Sequence, residues 1–178
     1  MRRRVLFTLL MLGVAFPLAA QDVSNEPPFT ILKRSKAGMP VIELVVAGER
    51  FALEIAATAA RRELGMGNRA RFPKGSGMLF VHPTASLRSY WMKNCLFDID
   101  LAYLNDNGVI VAVHEMKAEP QRRPSESTLQ YTNRLKKYLS AKPAQYALEF
   151  VPGTIQRLKL KPGQTIPLPR KALRGLTR

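Results

Sequence analysis

The chain has 178 residues, a formal net charge of +15 at pH 7 and a single cysteine, Cys95. One cysteine excludes an intramolecular disulfide, and two histidines are too few for a histidine-rich zinc site. The positive charge attracts polyanions without specifying one, so composition alone leaves the partner open.

The first 20 residues have the pattern of a secretory signal peptide. Three arginines precede an apolar run over residues 5–16. The run is too short for a membrane span, which needs about 20 apolar residues. Small residues end at Ala20, just before the polar Gln21. We therefore expect cleavage near Ala20, a periplasmic or secreted mature protein, and no transmembrane segment in the mature chain. A buried N-terminal helix is the alternative, and the arginines argue against it.

The mature chain divides into three parts by composition. Residues 21–38 are polar and contain proline, which predicts a flexible lead-in. Residues 39–170 are predicted to form a single β-rich domain, and residues 171–178 a basic tail. Seven basic residues and no acidic residue follow Glu149. This basic surface suits an anionic envelope component or an acidic protein partner. Export makes nucleic acid an unexpected partner, and a plain solvated surface is the alternative.

The first half of the domain contains a hairpin, a helix and two further strands. β-Rich runs at 41–46 and 51–55 flank the turn residues Ala47 and Gly48. Thr58 is placed to cap a helix that reaches about Met66, with Gly65 placed to end it. Residues 77–81 predict a short buried strand, and residues 88–92 predict another.

The second half begins with the clearest local pattern. β-Rich runs at 99–104 and 109–113 flank Asn105-Asp106-Asn107-Gly108, which predicts an antiparallel hairpin. Ser127 and Gln130 form a capping-box pattern that predicts the start of a short helix, with a partly ordered loop as the alternative. Residues 146–150 predict a strand, 161–164 a type II turn, and 165–168 a last strand. The expected fold is α+β, mainly antiparallel β, a small barrel or sandwich with two or three short helices.

A family resemblance rests on three parts of this pattern. They are residues 77–81, the string Tyr90-Trp91-Met92-Lys93-Asn94, and a hydrophobic hairpin that ends in His114-Glu115. Together they resemble the bacterial family known as domain of unknown function 192, over roughly residues 40–168. The resemblance implies a small, mainly β domain, often exported, whose biochemical role is not established. Cys95 departs from it, because the family more often has a small or β-branched residue there, and residues 122–139 are longer and more basic than usual.

Acidic residues at the open end of the second hairpin form one candidate site. If the turn at 105–108 is symmetric, Asp98 lies opposite Glu115 and Asp100 shares their face, while His114 lies on the other face. Such a cluster could act in acid–base chemistry or hold a hard cation, with Lys93 as its counter-charge. Simple solvation of these charges is the alternative. We expect no resident metal and no cofactor.

The Trp91-to-Asn94 string is the second candidate site. On a strand, Trp91 and Lys93 share a face, which suits stacking on a flat ligand that carries an anionic group. The alternative is that Trp91 fills the core and Asn94 makes a turn. Cys95 is expected to be buried. The chain has no nucleophile elbow, phosphate-binding glycine loop or paired-cysteine motif.

These patterns favour an exported binding or accessory module for an anionic envelope component or a protein partner. The alternatives are a hydrolase or lyase that acts on an envelope polymer through the carboxylates, and a structural partner subunit. Whether the protein is an enzyme and how it oligomerises stay open. The expected site residues are Trp91, Lys93, Asn94, Asp98, Asp100, His114 and Glu115.

Overall fold

The computed structural model describes residues 26–177, so the expected signal peptide lies outside the described residues. The strands are β1 (Ile31–Arg34), β2 (Pro40–Val46), β3 (Glu49–Ala56), β4 (Ser76–Ser86), β5 (Ser89–Tyr90), β6 (Ile99–Leu104), β7 (Ile110–Met116), β8 (Tyr138–Leu139) and β9 (Ala144–Phe150). The helices are α1 (Ala59–Leu64), α2 (Thr128–Arg134), α3 (Thr154–Leu158) and α4 (Arg170–Gly175).

Seven strands form one sheet in the order β1-β2-β3-β4-β9-β6-β7, and β5 pairs with β8 in a separate ribbon. The β3–β4 pair is parallel, and every other recorded pair is antiparallel. The prediction of a mainly antiparallel α+β fold is confirmed. Within residues 26–177 the sheet is open, with β1 and β7 at its edges, so the sandwich alternative fits and the barrel does not.

The two central strands, β6 and β9, are buried along their whole length. This requires a packed layer on each side of the sheet, because successive side chains of a strand point to opposite faces. The α3 face carries Leu148 and Phe150 with Ile155 and Leu173. The opposite face, which we call the cavity face, carries Met78, Phe80, Leu101 and Tyr103, and Cys95 belongs to the same cluster. A residue on β9 is therefore remote from water on whichever face it lies.

Local sequence patterns account for several elements. The β2–β3 hairpin turns at Ala47 and Gly48, which both have positive φ, as a two-residue hairpin turn requires. The Ser127 capping box with Gln130 begins α2 as predicted. The predicted turn at 161–164 is also present, with Gly163 at φ 92° and the Gln164 N–H donating to the Lys161 carbonyl.

The register of the β6–β7 hairpin differs from the symmetric expectation. Asp100, not Asp98, lies opposite Glu115, and Leu101 lies opposite His114. The turn is wider than predicted because the Asn105 Oδ1 accepts from the backbone N–H of Val109. A bulge beyond Tyr103 adds a further shift. Together the two changes move the register by two residues, so Asp100 and Glu115 still share one face.

Four segments differ from the sequence-based expectation. Ile31–Arg34 pairs with β2 although it lies in the expected flexible lead-in. Residues 88–92 contribute only the two-residue strand Ser89–Tyr90. The expected strand at 165–168 is reduced to one bridge, between Val109 and Thr165. Pro167 explains this reduction because it has no N–H to donate. The start of the expected basic tail belongs to α4, which buries Leu173.

No helix within residues 26–177 is long and apolar enough to cross a membrane.

Candidate functional site

A cavity of about 300 Å³ lies on the cavity face of the sheet, within the range of small-ligand sites. Its base is formed by β4 and β9, and its walls by α1 and by the segment 89–95. The side chains that matter below are Arg62, Glu63, Phe80, His82, Tyr90, Trp91, Lys93, Cys95 and Glu149. We call it the Glu149 cavity.

The α1 wall is attached to the sheet by Arg62. Thr58 caps the helix by accepting from the backbone N–H of Arg61, and Gly65, with φ of 48°, ends it. Arg62 Nη1 donates to the Val81 carbonyl at 3.0 Å and also to the Ala57 carbonyl. These bonds hold one turn of helix beside β4, which places the Arg62 guanidinium in the cavity wall.

The opposite wall is held by backbone hydrogen bonds. The Cys95 N–H donates to the Met92 carbonyl, and the Asn68 N–H donates to the Asn94 carbonyl at 2.8 Å. The Asn94 N–H in turn donates to the Tyr131 hydroxyl of α2 at 2.9 Å. The segment around Trp91 is therefore a braced turn.

Glu149 occupies a central position of β9, between Met78 of β4 and Leu101 of β6. Its residue is 6% exposed, and its Oε2 is buried without a hydrogen-bond partner among the described residues. Burial raises the pKa of this carboxyl to about 8, against a smaller opposing effect of Arg69. A buried carboxyl group without a partner is costly. A perturbed acid in a cavity is a typical mark of a functional site.

His82 and Tyr90 form a neutral hydrogen-bonded pair at the cavity wall. His82 Nε2 lies 3.0 Å from the Tyr90 hydroxyl. Burial, reinforced by Arg88 and Arg62, lowers the pKa of His82 to about 3. Burial also raises the pKa of Tyr90 well above its ordinary value, with Glu149 contributing. Both side chains are therefore uncharged at neutral pH and can offer hydrogen bonds without charge.

Cys95 is buried, as predicted, and only 6% exposed. Burial, together with the nearby Glu149, raises the pKa of its thiol to about 12. A thiol in that state supplies almost no thiolate at neutral pH, and the thiolate is the nucleophile. Cys95 therefore contributes to the wall of the cavity and not to covalent chemistry.

Trp91 and Lys93 both line the cavity, but they lie in a turn and not on a strand as expected. Lys93 Nζ is 2.9 Å from Glu63 Oε1, so it pairs with α1 and not with the hairpin carboxylates. Lys137 Nζ lies 4.3 Å from the centroid of the Trp91 ring. Asn94 adopts φ of 57° and makes the turn, in line with the alternative for that residue.

The hairpin carboxylates each have their own partner. Asp98 pairs with Lys117 Nζ at 2.8 Å and accepts from the Ala118 N–H. Asp100 is 1% exposed and accepts from the Ile155 N–H at the start of α3. Burial raises the pKa of Asp100, and the backbone N–H groups at the start of α3, that of Ile155 first, oppose the rise. Glu115 accepts from Gln156 Nε2 at 2.9 Å. Asp100 and Glu115 therefore bind α3, Asp98 binds the segment after β7, and none of the three lines the Glu149 cavity.

His114 lies on the other face of the hairpin, as the face assignment predicted. Its Nε2 is 2.8 Å from the Leu139 carbonyl, and its ring contacts Tyr103 and Tyr138 edge-on. The partners of this imidazole among the described residues are a backbone carbonyl and two aromatic rings, which indicates a structural role. Among residues 26–177, no group of three or more His, Cys, Asp or Glu side chains could hold a metal ion.

A family model agrees with this fold. The model of DUF192, described as "Uncharacterized ACR", matches residues 42–168. The chain belongs to the DUF192 family. The resemblance found in the sequence is therefore confirmed, and the Glu149 cavity lies wholly within the matched DUF192 region.

Two solved structures resemble this DUF192 chain. A Novosphingobium aromaticivorans protein of unknown function matches with a TM-score of 0.63 and 20% identity, covering 78% of this chain and 92% of that one. A Sinorhizobium meliloti protein named "putative transcription regulator" matches with a TM-score of 0.56 and 27% identity, covering 69% and 88%. None of the curated proteins compared gives a significant match. At 20% identity, the likeness to the Novosphingobium aromaticivorans protein concerns the fold alone.

Sequence reasoning did not single out Glu149, His82 or Arg62 as site residues. One pattern could have identified Glu149: it is the acidic residue of the otherwise apolar run Tyr146-Ala147-Leu148-Glu149-Phe150. A strand that is apolar on both faces is typical of the centre of a sheet, where a carboxyl group is rarely buried unless it is paired. No local pattern distinguishes Arg62 from its neighbour Arg61.

Proposed function

We propose that this DUF192 chain is an exported binding domain whose ligand occupies the Glu149 cavity. The observation that carries the proposal is the carboxyl group of Glu149, which is buried at the base of the cavity with an Oε2 that has no partner among the described residues. A ligand that hydrogen-bonds to this group would offset the cost of burying it. Phe80, Tyr90 and Trp91 supply the apolar contacts that small-ligand sites use for most of their area.

Binding accounts for the geometry better than the hydrolase or lyase alternative does. That alternative relied on the hairpin carboxylates, and Asp98, Asp100 and Glu115 each already have a hydrogen-bond donor. A nucleophilic mechanism through Cys95 would need a thiolate, which the environment of Cys95 disfavours. A single buried acid beside the neutral His82–Tyr90 pair suits recognition of a ligand.

Export is supported by the charged and apolar pattern of residues 1–20. The basic surface after Glu149 would help a periplasmic or secreted protein approach an anionic envelope component or an acidic protein partner. Lys159, Lys161, Lys171 and Arg174 are exposed, so this surface is available for such a contact.

Native mass spectrometry tests both parts of the proposal. The full chain is expressed in a bacterial host and recovered from the envelope fraction. We expect a mass that lacks residues 1–20, together with a small-molecule adduct. Glu149→Ala and Trp91→Ala should each lose the adduct, whereas Glu115→Gln, a matched change of an acid outside the cavity, should keep it.

Two results would contradict the proposal. An adduct that survives both cavity substitutions would place the ligand elsewhere on the domain. A chain found in the cytoplasm with residues 1–20 intact would overturn export and leave the cavity to be tested by itself.

A further inference from the structure

Formal charges around the Glu149 cavity favour an anion. Arg62 and Lys93 are basic, and Glu63 is the acidic residue at the rim. Glu63 pairs with Lys93, so the Arg62 charge has no acidic counterpart among the recorded ion pairs of the described residues. Lys137, whose Nζ lies over the ring of the lining residue Trp91, adds a further positive charge beside the cavity.

Arg62 also has donors to spare. Both hydrogen bonds that it donates within the described part of the chain come from Nη1. Nε and Nη2 therefore remain free to donate. A guanidinium that is already braced by backbone carbonyls loses little conformational freedom when it binds a carboxylate.

Among the titratable groups of the cavity with a shifted pKa, Glu149 is the one whose pKa lies near neutrality. The charged and titratable groups that line the same cavity or interact with Glu149 are Arg62 and Glu63 from α1, Arg69 after α1, His82 from β4, Tyr90 from β5, Lys93 and Cys95 after β5, and Tyr103 from β6. The pKa of His82 falls to about 3 and that of Cys95 rises to about 12. Glu149, with a pKa of about 8, is therefore mostly a neutral acid at pH 7 and can donate its O–H.

We propose that the Glu149 cavity binds a small organic carboxylate with a flat, apolar body. Arg62 and the O–H of Glu149 donate to the ligand carboxylate, and Phe80, Tyr90 and Trp91 enclose the body. This inference rests on the proposed function, because it assigns a ligand class to the same cavity. A carboxylate fits one guanidinium and one O–H donor, whereas a cation would face Arg62 directly.

Binding of this kind is coupled to a proton. The ionised form of Glu149 repels a carboxylate, so binding requires that the proton stay on Glu149. Affinity should therefore fall by about tenfold between pH 7 and pH 9, on either side of a pKa of about 8. At pH 8, about half a proton should be taken up with each ligand bound.

Three nearly isosteric probes separate the possible ligand charges: benzoate, benzamide and benzamidine. They are titrated into the full-chain protein at pH 7 by NMR, with resonances of the cavity residues as the readout. We expect benzoate to bind on the order of tenfold more tightly than benzamidine, with benzamide between them. Calorimetry at pH 8 in two buffers of different ionisation enthalpy then measures the proton taken up with benzoate.

Glu149→Gln is the informative variant, because its amide N–H can still donate to benzoate but cannot ionise. We expect this variant to bind benzoate with the same affinity at pH 7 and pH 9 and without proton uptake. Glu115→Gln, the matched control, should keep the tenfold pH dependence of the unmodified chain. Trp91→Ala should weaken all three probes.

Several outcomes would overturn the inference. Tighter binding of benzamidine with proton release would rule out a carboxylate ligand and leave the cavity as a binding site. Benzoate binding that is equal at pH 7 and pH 9 would show that no proton on Glu149 takes part, and would overturn the assigned contact between Glu149 and the ligand carboxylate. Failure of all three probes at millimolar concentration, or binding that is unaffected by Trp91→Ala, would overturn the cavity itself as a ligand site and the proposed function with it.

Discussion

Two regions of this domain differ in whether their acidic side chains have hydrogen-bond partners. At the open end of the β6–β7 hairpin, beside α3, lie Asp98, Asp100 and Glu115, and each accepts a hydrogen bond from a neighbouring residue. On the opposite face of the sheet, Glu149 stands alone, with a buried Oε2 that has no partner within residues 26–177. The crowded acids are satisfied, and the solitary one is not.

This contrast shows that clustering of charge is a weaker mark of function than lack of a partner. A set of acids that cap a helix or pair with lysine stabilises the fold by ordinary means. A buried acid without a partner costs stability, so its retention in the wall of a cavity indicates a role that stability does not explain. The predictions that follow test whether the two regions differ in this way.

The largest effect should be the pH dependence that Glu149 gives to stability. Its folded-state pKa of about 8 lies above the ordinary value of 4.5, so the folded protein holds a proton that the unfolded chain releases. The stability that Glu149 contributes is therefore fully present below pH 4.5 and is lost as the pH rises to 8, by about 1.4 kcal/mol per pH unit. Urea denaturation between pH 6.5 and pH 8 measures this slope.

Glu149→Gln should remove that slope, since the amide does not titrate. Glu115→Gln should retain it and serves as the matched control. Parallel pH profiles for the unmodified chain and Glu149→Gln would mean that Glu149 is ionised in the folded protein, contrary to the contrast drawn above.

Asp100→Ala should give the next largest effect. The substitution leaves the Ile155 N–H without its acceptor in a buried position, which costs about 1–3 kcal/mol. Asp100→Asn keeps an acceptor oxygen and should recover part of the loss. Urea denaturation at a single pH makes the comparison, and an unchanged midpoint for Asp100→Ala would show that the α3 contact is dispensable.

His82 should give an effect of the opposite sign on the acid side, with a similar slope per pH unit because its pKa is shifted by as much as that of Glu149. Its folded-state pKa of about 3 lies below the ordinary value of 6.5, so the stability it contributes is present above pH 6.5 and is lost as the pH falls toward 3. Because the Glu149 slope opposes it between pH 4.5 and pH 6.5, the test belongs in the Glu149→Gln background. In that background, adding His82→Gln should reduce the loss of stability at acid pH. An unaltered loss would mean that other groups cause it.

The smallest effect is expected at the exposed acids of the α3 region. Asp98 pairs with a lysine in contact with solvent, and such pairs contribute little. Asp98→Asn and Glu115→Gln, alone or together, should leave the denaturation midpoint and probe binding at the Glu149 cavity unchanged. A loss of probe binding in the double variant would make the hairpin acids part of the site after all.

Sequence patterns predicted the elements that depend on neighbouring residues. The β2–β3 hairpin follows from Ala47-Gly48 between two β-rich runs, and α2 begins at the Ser127 capping box. Trp91 and Lys93, chosen from the sequence as site residues, both line the cavity, whereas His114 and the hairpin acids lie elsewhere. The β6–β7 register was missed by two residues, because the Asn105–Val109 hydrogen bond widens the turn and a bulge follows Tyr103, and neither can be read from the alternation of apolar residues.

The sequence by itself determined the family, the mainly antiparallel α+β fold and the burial of Cys95. These follow from alternation, turn chemistry and a specific motif, all of which act over a few residues. Only the tertiary structure decided that Glu149 lacks a partner and that Arg62 faces the same cavity. That outcome depends on β9 inserting between β4 and β6 and on α1 packing over them, which brings together residues more than 60 positions apart in the chain. The cost of burying a carboxyl group is set by those distant neighbours.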